Sequence, residues 1–443
     1  MTMTSTLTSP LTPRDTAPVS RADDAPGPLA TLIAEVFLGL FLFTRLVGDD
    51  RISLQAFLLP ALGLSAVLLA PRKAVQRVPV SFAFLIFVAW MALSYTWSVD
   101  PYVTSRDLLV KLPGTFVAIL CVGMLPPARF RRLVLIFVSV TLLVNVGYIA
   151  LKPSVGMHPR TGDIAPGWRG LFNHKNLLGM FGVLSIVTYL TLLPRSIARN
   201  ALLLGVGALV LTTQSVTALS TSVLVVAAYL WVYRLHEQES PRLRSAYAVT
   251  SALLIPIGVA LLASSAGNIV GLFGRDRTFT GRTRIWSAAV DAISKREWHG
   301  YGWAAPWNSL KGPTIGMQRT IGFDVFSAHN GALELMLELG IIGLLLYVPV
   351  LLGALRAGFQ AMHVHQRHGR FVVLTVIALT IASMSEPTFT GSGEFEWIIL
   401  LYTSAMVVVL HNRYSHNRGH RPNFRAAAAD HSKELRPAGA AAP

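Results

Sequence analysis

Cysteine is almost missing from this chain: Cys121 is the single one in 443 residues. Internal disulfides, cysteine-based zinc sites and thiol redox pairs are excluded by that scarcity. Charge is also sparse, with Asp, Glu, Lys and Arg making up 14% of the residues, against about 25% in an ordinary soluble protein. A Walker loop, a dinucleotide fingerprint and a paired-aspartate metal motif are all lacking, so no cofactor, metal or nucleotide is expected. His363, His365 and His368, and later His411, His416 and His420, stand among arginines without acidic or cysteine partners, a poor setting for a metal. Residues 1–28 lack the pattern of a secretory signal and hold Asp15, Asp23 and Asp24 among prolines, serines and threonines. They are expected to be a disordered cytoplasmic tail, which makes the first membrane helix an uncleaved anchor.

What the chain does have is apolar sequence, 53% by the AVILMFWYC count, and a basic excess of 38 Lys and Arg over 22 Asp and Glu, for a net charge of +16. A nucleic-acid binder carries such an excess on a polar surface. Here the charges fall between long apolar runs, and no nucleic-acid partner is expected. A membrane span needs about 20 mostly apolar residues. Runs of that kind occur near 29–47, 52–70, 79–97, 108–125, 132–151, 176–193, 200–215, 216–233, 246–265, 328–355, 371–389 and 394–411. The reading is an all-α integral membrane protein of about twelve transmembrane helices, with a long periplasmic loop between helices nine and ten. The break between the seventh and eighth runs, Thr212–Ser215, is short and polar but uncharged.

Lys and Arg in short loops mark the cytoplasmic side. With the N-terminus inside, the even-numbered loops carry Arg72 with Arg77, Arg129 with Arg131 and Arg132, Arg195 with Arg199, Arg234 with Arg242, and Arg356 with Arg370. Both termini are then cytoplasmic. The chain divides into a tail at 1–28, helices one to nine at 29–265, the periplasmic loop at 266–327, helices ten to twelve at 328–411 and a disordered basic tail at 412–443.

Two external segments break the charge rule, 152–175 and 266–327, and both are basic. Long loops are translocated largely regardless of charge, so these tolerate an external use for it. The second is rich in aromatics, among them Trp286, Trp298, Tyr301, Trp303 and Trp307, which argues for order. Within it Ile285, Trp286, Ala289 and Ile293 recur at helical spacing, predicting a short amphipathic helix over 283–293 in the outer interface. The Gly-Tyr-Gly-Trp stretch at 300–303 predicts a turn beside interfacial aromatics.

Three stretches carry a resemblance: Trp168 to Gly179, with Asn173-His174-Lys175-Asn176 inside it; Gly281-Arg282-Thr283-Arg284-Ile285-Trp286 followed by Gly300-Tyr301-Gly302; and Ala328-His329-Asn330-Gly331 running into Glu334 and Glu338-Leu339-Gly340. Their order and spacing resemble the O-antigen ligase and polymerase (Wzy/WaaL-type) family over about residues 30–410, and the His-Lys-Asn wording is nearest to exopolysaccharide polymerases of the ExoQ type. The resemblance implies a glycosyltransferase of the bacterial inner membrane that takes glycan from undecaprenyl diphosphate on the periplasmic face, without nucleotide sugar, metal or ATP. Its partners would be an undecaprenyl-diphosphate-linked oligosaccharide, a lipid or glycan acceptor, membrane lipids, a chain-length regulator and a flippase. A polymerase extends a lipid-linked chain; a ligase delivers it to lipid A core.

Transfer from a lipid diphosphate needs charge stabilisation at the phosphates and removal of a proton from the attacking hydroxyl. Arginine suits the first task because its planar fork binds phosphate oxygens and stays charged. Arg282, Arg284 and Arg169 are the candidates, with Lys175 as a point charge and Asn176 beside it. The same side chains would equally serve as contacts for anionic headgroups. His329 is the candidate for the second task, since an imidazole with a pKa of about 6.5 exchanges protons at neutral pH; an interfacial histidine next to an Asn330 cap is the alternative. Glu334 and Glu338 lie four apart on one helical face with Asn330, where pairing with Arg282 or Arg284 would make them either orienting groups or a purely structural ion pair. The rival of another class is a multi-span transporter, for which matching halves are the expected sign; none is visible.

Overall fold

The computed structural model describes residues 26–47, 57–72, 75, 81–159, 166–237, 240, 282–363 and 365–387. Among them the chain is helical almost throughout: α1 (Pro28–Val47), α2 (Leu59–Leu69), α3 (Phe82–Leu93), α4 (Pro101–Met124), α5 (Pro127–Leu151), α6 (Lys175–Leu192), α7 (Ile197–Thr213), α8 (Val216–Glu237), α9 (Arg282–Ile293), α10 (Thr314–Ile321), α11 (Gly331–Met362) and α12 (Gln366–Ser383). The exception to an all-α reading is a two-residue antiparallel ladder, Met157–His158 against Gly167–Trp168.

Five of these helices are both long and apolar enough to cross a bilayer: α4, α5, α6, most of α8 and α11. Pro28–Thr44, Leu59–Leu69, Phe82–Thr96 and Ile197–Thr213 are shorter apolar helices. The expected spans at 246–265 and 394–411, the tails and Gly281 lie outside the described residues. The break anticipated at Thr212–Ser215 is real: Gln214 takes a left-handed backbone (φ 51°), closing α7 before α8 begins at Val216.

Sequence sets the helix ends in familiar ways. Asp100 caps α4, accepting from the Val103 amide at 3.4 Å, with Pro101 at the first helical position. Ser196 caps α7 through the Arg199 amide at 3.1 Å. Apolar side chains face both ways, as a membrane requires. Phe37, Phe41, Phe87, Phe130, Phe181, Tyr189 and Tyr347 are fully buried in one continuous core, while Leu68, Phe82, Leu143 and Leu204 lie exposed on the outer helix faces.

The segment before α11 is folded, as its aromatics predict, but its parts go elsewhere than expected. The apolar stripe of α9 is covered by protein rather than lipid: Ile285, Ala289 and Ile293 pack with Met317 and Ile321 of α10, with Tyr301, and with Leu337 of α11. Trp303 is not interfacial either. It is 1% exposed, its ring beneath the Lys111 ammonium and its indole nitrogen donating to Asp107. Trp298 and Phe326 do remain exposed.

The turn at 300–303 owes its depth to a break in α11. Gly340 has φ 70° and ψ −173°, a conformation outside any helix. Helical hydrogen bonding stops there and the loop takes it over: Tyr301 N donates to Leu337 O at 2.8 Å, Gly302 N to Glu338 O at 2.9 Å, and Ile341 N to Glu297 O at 2.8 Å. The Trp90 indole donates to Leu339 O at 3.1 Å, and the Trp97 indole to His299 O at 2.8 Å. Irregular backbone at membrane depth survives only when protein satisfies it in this way.

Candidate functional site

The N-terminus of α6, the N-terminus of α9, the turn before α11 and the residues after α12 meet at one end of the bundle. Each of the three sequence stretches contributes a side chain there, and what joins them is a carboxylate outside all three. Glu386 accepts from Asn176 Nδ2 at 2.8 Å and from Arg282 Nη2 at 3.0 Å, both on Oε1. Its other oxygen, Oε2, lies 3.5 Å from His329 Nδ1. Burial pushes the Glu386 carboxyl up, but the His329 ring and the Arg282 guanidinium outweigh it and hold the group below the ordinary carboxylate value.

In sequence Glu386 falls inside the expected span 371–389 as an intramembrane charge, with no role beyond pairing. The helix in fact ends at Ser383, and the Met384, Ser385 and Glu386 amides all bond back to its last turn. The available signal was Pro387, which disfavours helix in the residue before it. The expected partnership of Arg282 with Glu334 or Glu338 is corrected by the same geometry: its carboxylate is Glu386.

His329 sits in a strained turn, with φ 48° in the left-handed region that a non-glycine residue rarely enters. The peptide groups just before it are pinned from both sides. Ala328 N donates to Glu334 Oε2 at 2.7 Å, and the Trp286 indole donates to Ala328 O at 3.0 Å. Glu334 is fully buried, so its oxygen faces this turn rather than solvent. On the other side Asn330 caps α11, accepting from Ala332 N and Leu333 N at 3.0 and 3.1 Å. Its Nδ2 donates to Met384 O at 3.4 Å, tying the cap to the segment that carries Glu386.

His174 caps α6, its Nδ1 accepting from Asn176 N at 3.2 Å, with its ring edge-on to His158 at 4.8 Å between centroids. Burial, and then the neighbouring His158, press its pKa down to about 4, so it is neutral at pH 7. The remaining candidates scatter. Arg284 is exposed on α9. Arg169 spends its donors on the backbone, Nε to Val155 O at 2.9 Å and Nη1 to Asn173 O at 3.4 Å. Lys175 is 3% exposed in the first turn of α6. Glu338 is buried below the cluster, by the break in α11. Among the described residues no group of three or more His, Cys, Asp or Glu side chains is arranged to hold a metal ion.

Apolar helices closed over a buried, charged cluster at one end of the bundle define a membrane protein with a polar site. Residues 200–348 match the family described as O-Antigen ligase, and five of the described helices are long and apolar enough to cross a membrane. The chain is 25% identical over 329 residues to the exopolysaccharide production protein ExoQ of Rhizobium meliloti, covering 72% of this chain and 74% of the relative. It is 28% identical over 334 residues to an O-antigen ligase of Pseudomonas aeruginosa, covering 71% of this chain and 74% of that protein. The family match takes in Arg282, Arg284, His329, Asn330, Glu334 and Glu338; Arg169, Lys175, Asn176 and Glu386 lie beyond it.

Proposed function

We propose that this protein is a glycosyltransferase that moves undecaprenyl-diphosphate-linked glycan on the periplasmic face of the bacterial inner membrane, polymerising exopolysaccharide or O-antigen repeat units. Both termini are then cytoplasmic, and the reaction needs neither metal nor ATP. The observation that carries the reading is the meeting of Arg282, His329 and Asn176 on one buried carboxylate at a single end of an apolar bundle.

In this reading the acceptor sugar hydroxyl attacks the anomeric carbon of the donor glycan, and the bond to the lipid diphosphate breaks. With Nδ1 turned to Glu386, Nε2 of His329 is the nitrogen that takes the hydroxyl proton. The departing diphosphate gains negative charge, which the Arg282 and Arg284 guanidinium groups stabilise. Arg169 and Lys175 serve as a basic surround for the donor, with Asn176 and Asn330 shaping the floor of the site. Glu334 and Glu338, assigned to substrate from sequence, work from beneath: Glu334 holds the His329 turn by its bond to Ala328 N.

The test uses the full-length protein in liposomes with lipid-linked repeat units and two acceptors. Elongation of the lipid-linked chain is the expected result; delivery to lipid A core instead makes it a ligase. Absence of transfer to either, together with unchanged surface glycan after deletion of the gene, overturns the proposal. Substrate flux across the liposome without transfer would identify a transporter.

A further inference from the structure

We propose that Glu386 is the positioning residue of this site: it orients the His329 ring and, through the same carboxylate, holds Arg282 ready for the donor, so that one acid couples the two halves of the reaction. The inference rests on the glycosyl-transfer reading above.

Four observations support it. Glu386 is the common neighbour of a side chain from each of the three sequence stretches, at 2.8 Å (Asn176), 3.0 Å (Arg282) and 3.5 Å (His329). Its side chain is 12% exposed, so the contacts are made largely out of water, where they are stronger than at a surface. The two oxygens divide the work. Oε1 takes the Asn176 and Arg282 donors and leaves Oε2 to the histidine. Finally, a carboxylate beside Nδ1 favours the tautomer with its proton on that nitrogen, which leaves the lone pair on Nε2 where a base needs it. The 3.5 Å separation is longer than a good charge-assisted bond. Arg282 shares the carboxylate's charge, so a donor diphosphate that draws Arg282 to itself returns that charge to the histidine. Donor binding would thereby strengthen the base.

The ionisable groups around His329 are Glu386, from the segment after α12, Arg282 from α9, Glu334 of α11, whose oxygen is bonded to the neighbouring Ala328 amide, and His174 ahead of α6, with His158 and Lys175 behind it. Glu386 is the acid beside the ring itself, since the Glu334 oxygen is turned to the Ala328 amide. Neutralising Glu386 therefore removes the negative charge that lies beside the imidazole.

The experiment compares wild type with Glu386→Gln, which keeps the shape and an oxygen for Asn176, and with Glu386→Asp, in the full chain in nanodiscs. Diethyl pyrocarbonate modification of His329, followed by mass spectrometry across pH, reads the ring without reference to activity. In Glu386→Gln its midpoint should move to lower pH, while in wild type undecaprenyl diphosphate should move it to higher pH. In the transfer assay Glu386→Gln should lower kcat by about 100-fold or more, following triads whose orienting acid is neutralised. The KM for donor should change less than about threefold, since Asn176 and Arg282 keep a polar partner. The acid limb of its pH profile should move down, and Glu386→Asp should recover part of kcat. An unchanged modification midpoint, or a loss confined to KM, overturns the inference. If the midpoint moves as expected but wild type transfers no glycan, the positioning role stands and the glycosyl-transfer reading falls.

Discussion

Replacing Gly340 by alanine tests whether the break in α11 is held open by the loop at 297–302. The backbone there, at φ 70° and ψ −173°, belongs to a region essentially reserved for glycine, and occupying it with a side chain costs about 1–3 kcal/mol. A Cβ would also run into the Trp298 carbonyl and the His299 nitrogen, which are main-chain atoms that cannot swing away. Relief requires the loop to withdraw, which breaks bonds such as Tyr301 N to Leu337 O and Gly302 N to Glu338 O. Each buried group left unpaired costs about 1–3 kcal/mol. Strain plus the loss of those two bonds comes to at least about 3 kcal/mol, or about 100-fold in the equilibrium for opening the loop. Hydrogen exchange in nanodiscs reads this directly: the Tyr301, Gly302, Ile341 and Ile342 amides should exchange about 100-fold faster in Gly340→Ala. Gly353→Ala is the control, in the same helix with nothing within 4 Å of the added carbon. It should leave those amides unchanged and slightly stabilise the helix, by about 0.5–1 kcal/mol. Equal protection in wild type and Gly340→Ala would refute the account of the break.

Other consequences can be read with simpler assays. Trp286→Phe removes the donor to Ala328 O, and Glu334→Leu the acceptor for Ala328 N; each should cut transfer more than it lowers thermal stability, because the strained His329 turn relaxes, and an equal fall in both would point to a general packing defect. Asn330→Ala should cost about 1 kcal/mol in the melting of α11, measured in detergent, as lost helix caps do. Arg282→Ala strands Glu386 in a buried site and should both destabilise the protein and abolish transfer; Arg284→Ala, at an exposed position, should leave the melting temperature unchanged and weaken donor binding in a salt-dependent way. His174 has its pKa depressed to about 4 by burial, so the folded protein holds fewer protons than the unfolded one between about pH 6.5 and 4. Wild type should therefore lose stability relative to His174→Asn as pH falls through that window, and thermal melts at pH 7 and pH 4.5 will show whether the gap changes in that direction.

The helical, membrane-spanning character of this protein is written in local sequence. Apolar content sums along the chain, so about 20 consecutive apolar residues commit a segment to the bilayer whatever its neighbours are. Caps such as Asp100, Ser196 and Asn330 act within three residues and are equally legible. The residues with the right chemistry, His329 and Arg282 above all, stood out by type and by the stretches that hold them. Their partners did not. Glu386 meets Arg282 across 104 positions of sequence, and no period or spacing encodes that meeting, because it depends on which helix ends converge. For the same reason Trp303 looked interfacial and proved buried, and Gly340 showed in sequence as part of a resemblance but not as a break in its helix. Sequence alone determined the elements, their membrane setting and the inventory of reactive side chains. Tertiary structure decided which acid faces which base, since buried charges are paired by proximity in three dimensions and the cost of leaving them unpaired is what selects the arrangement.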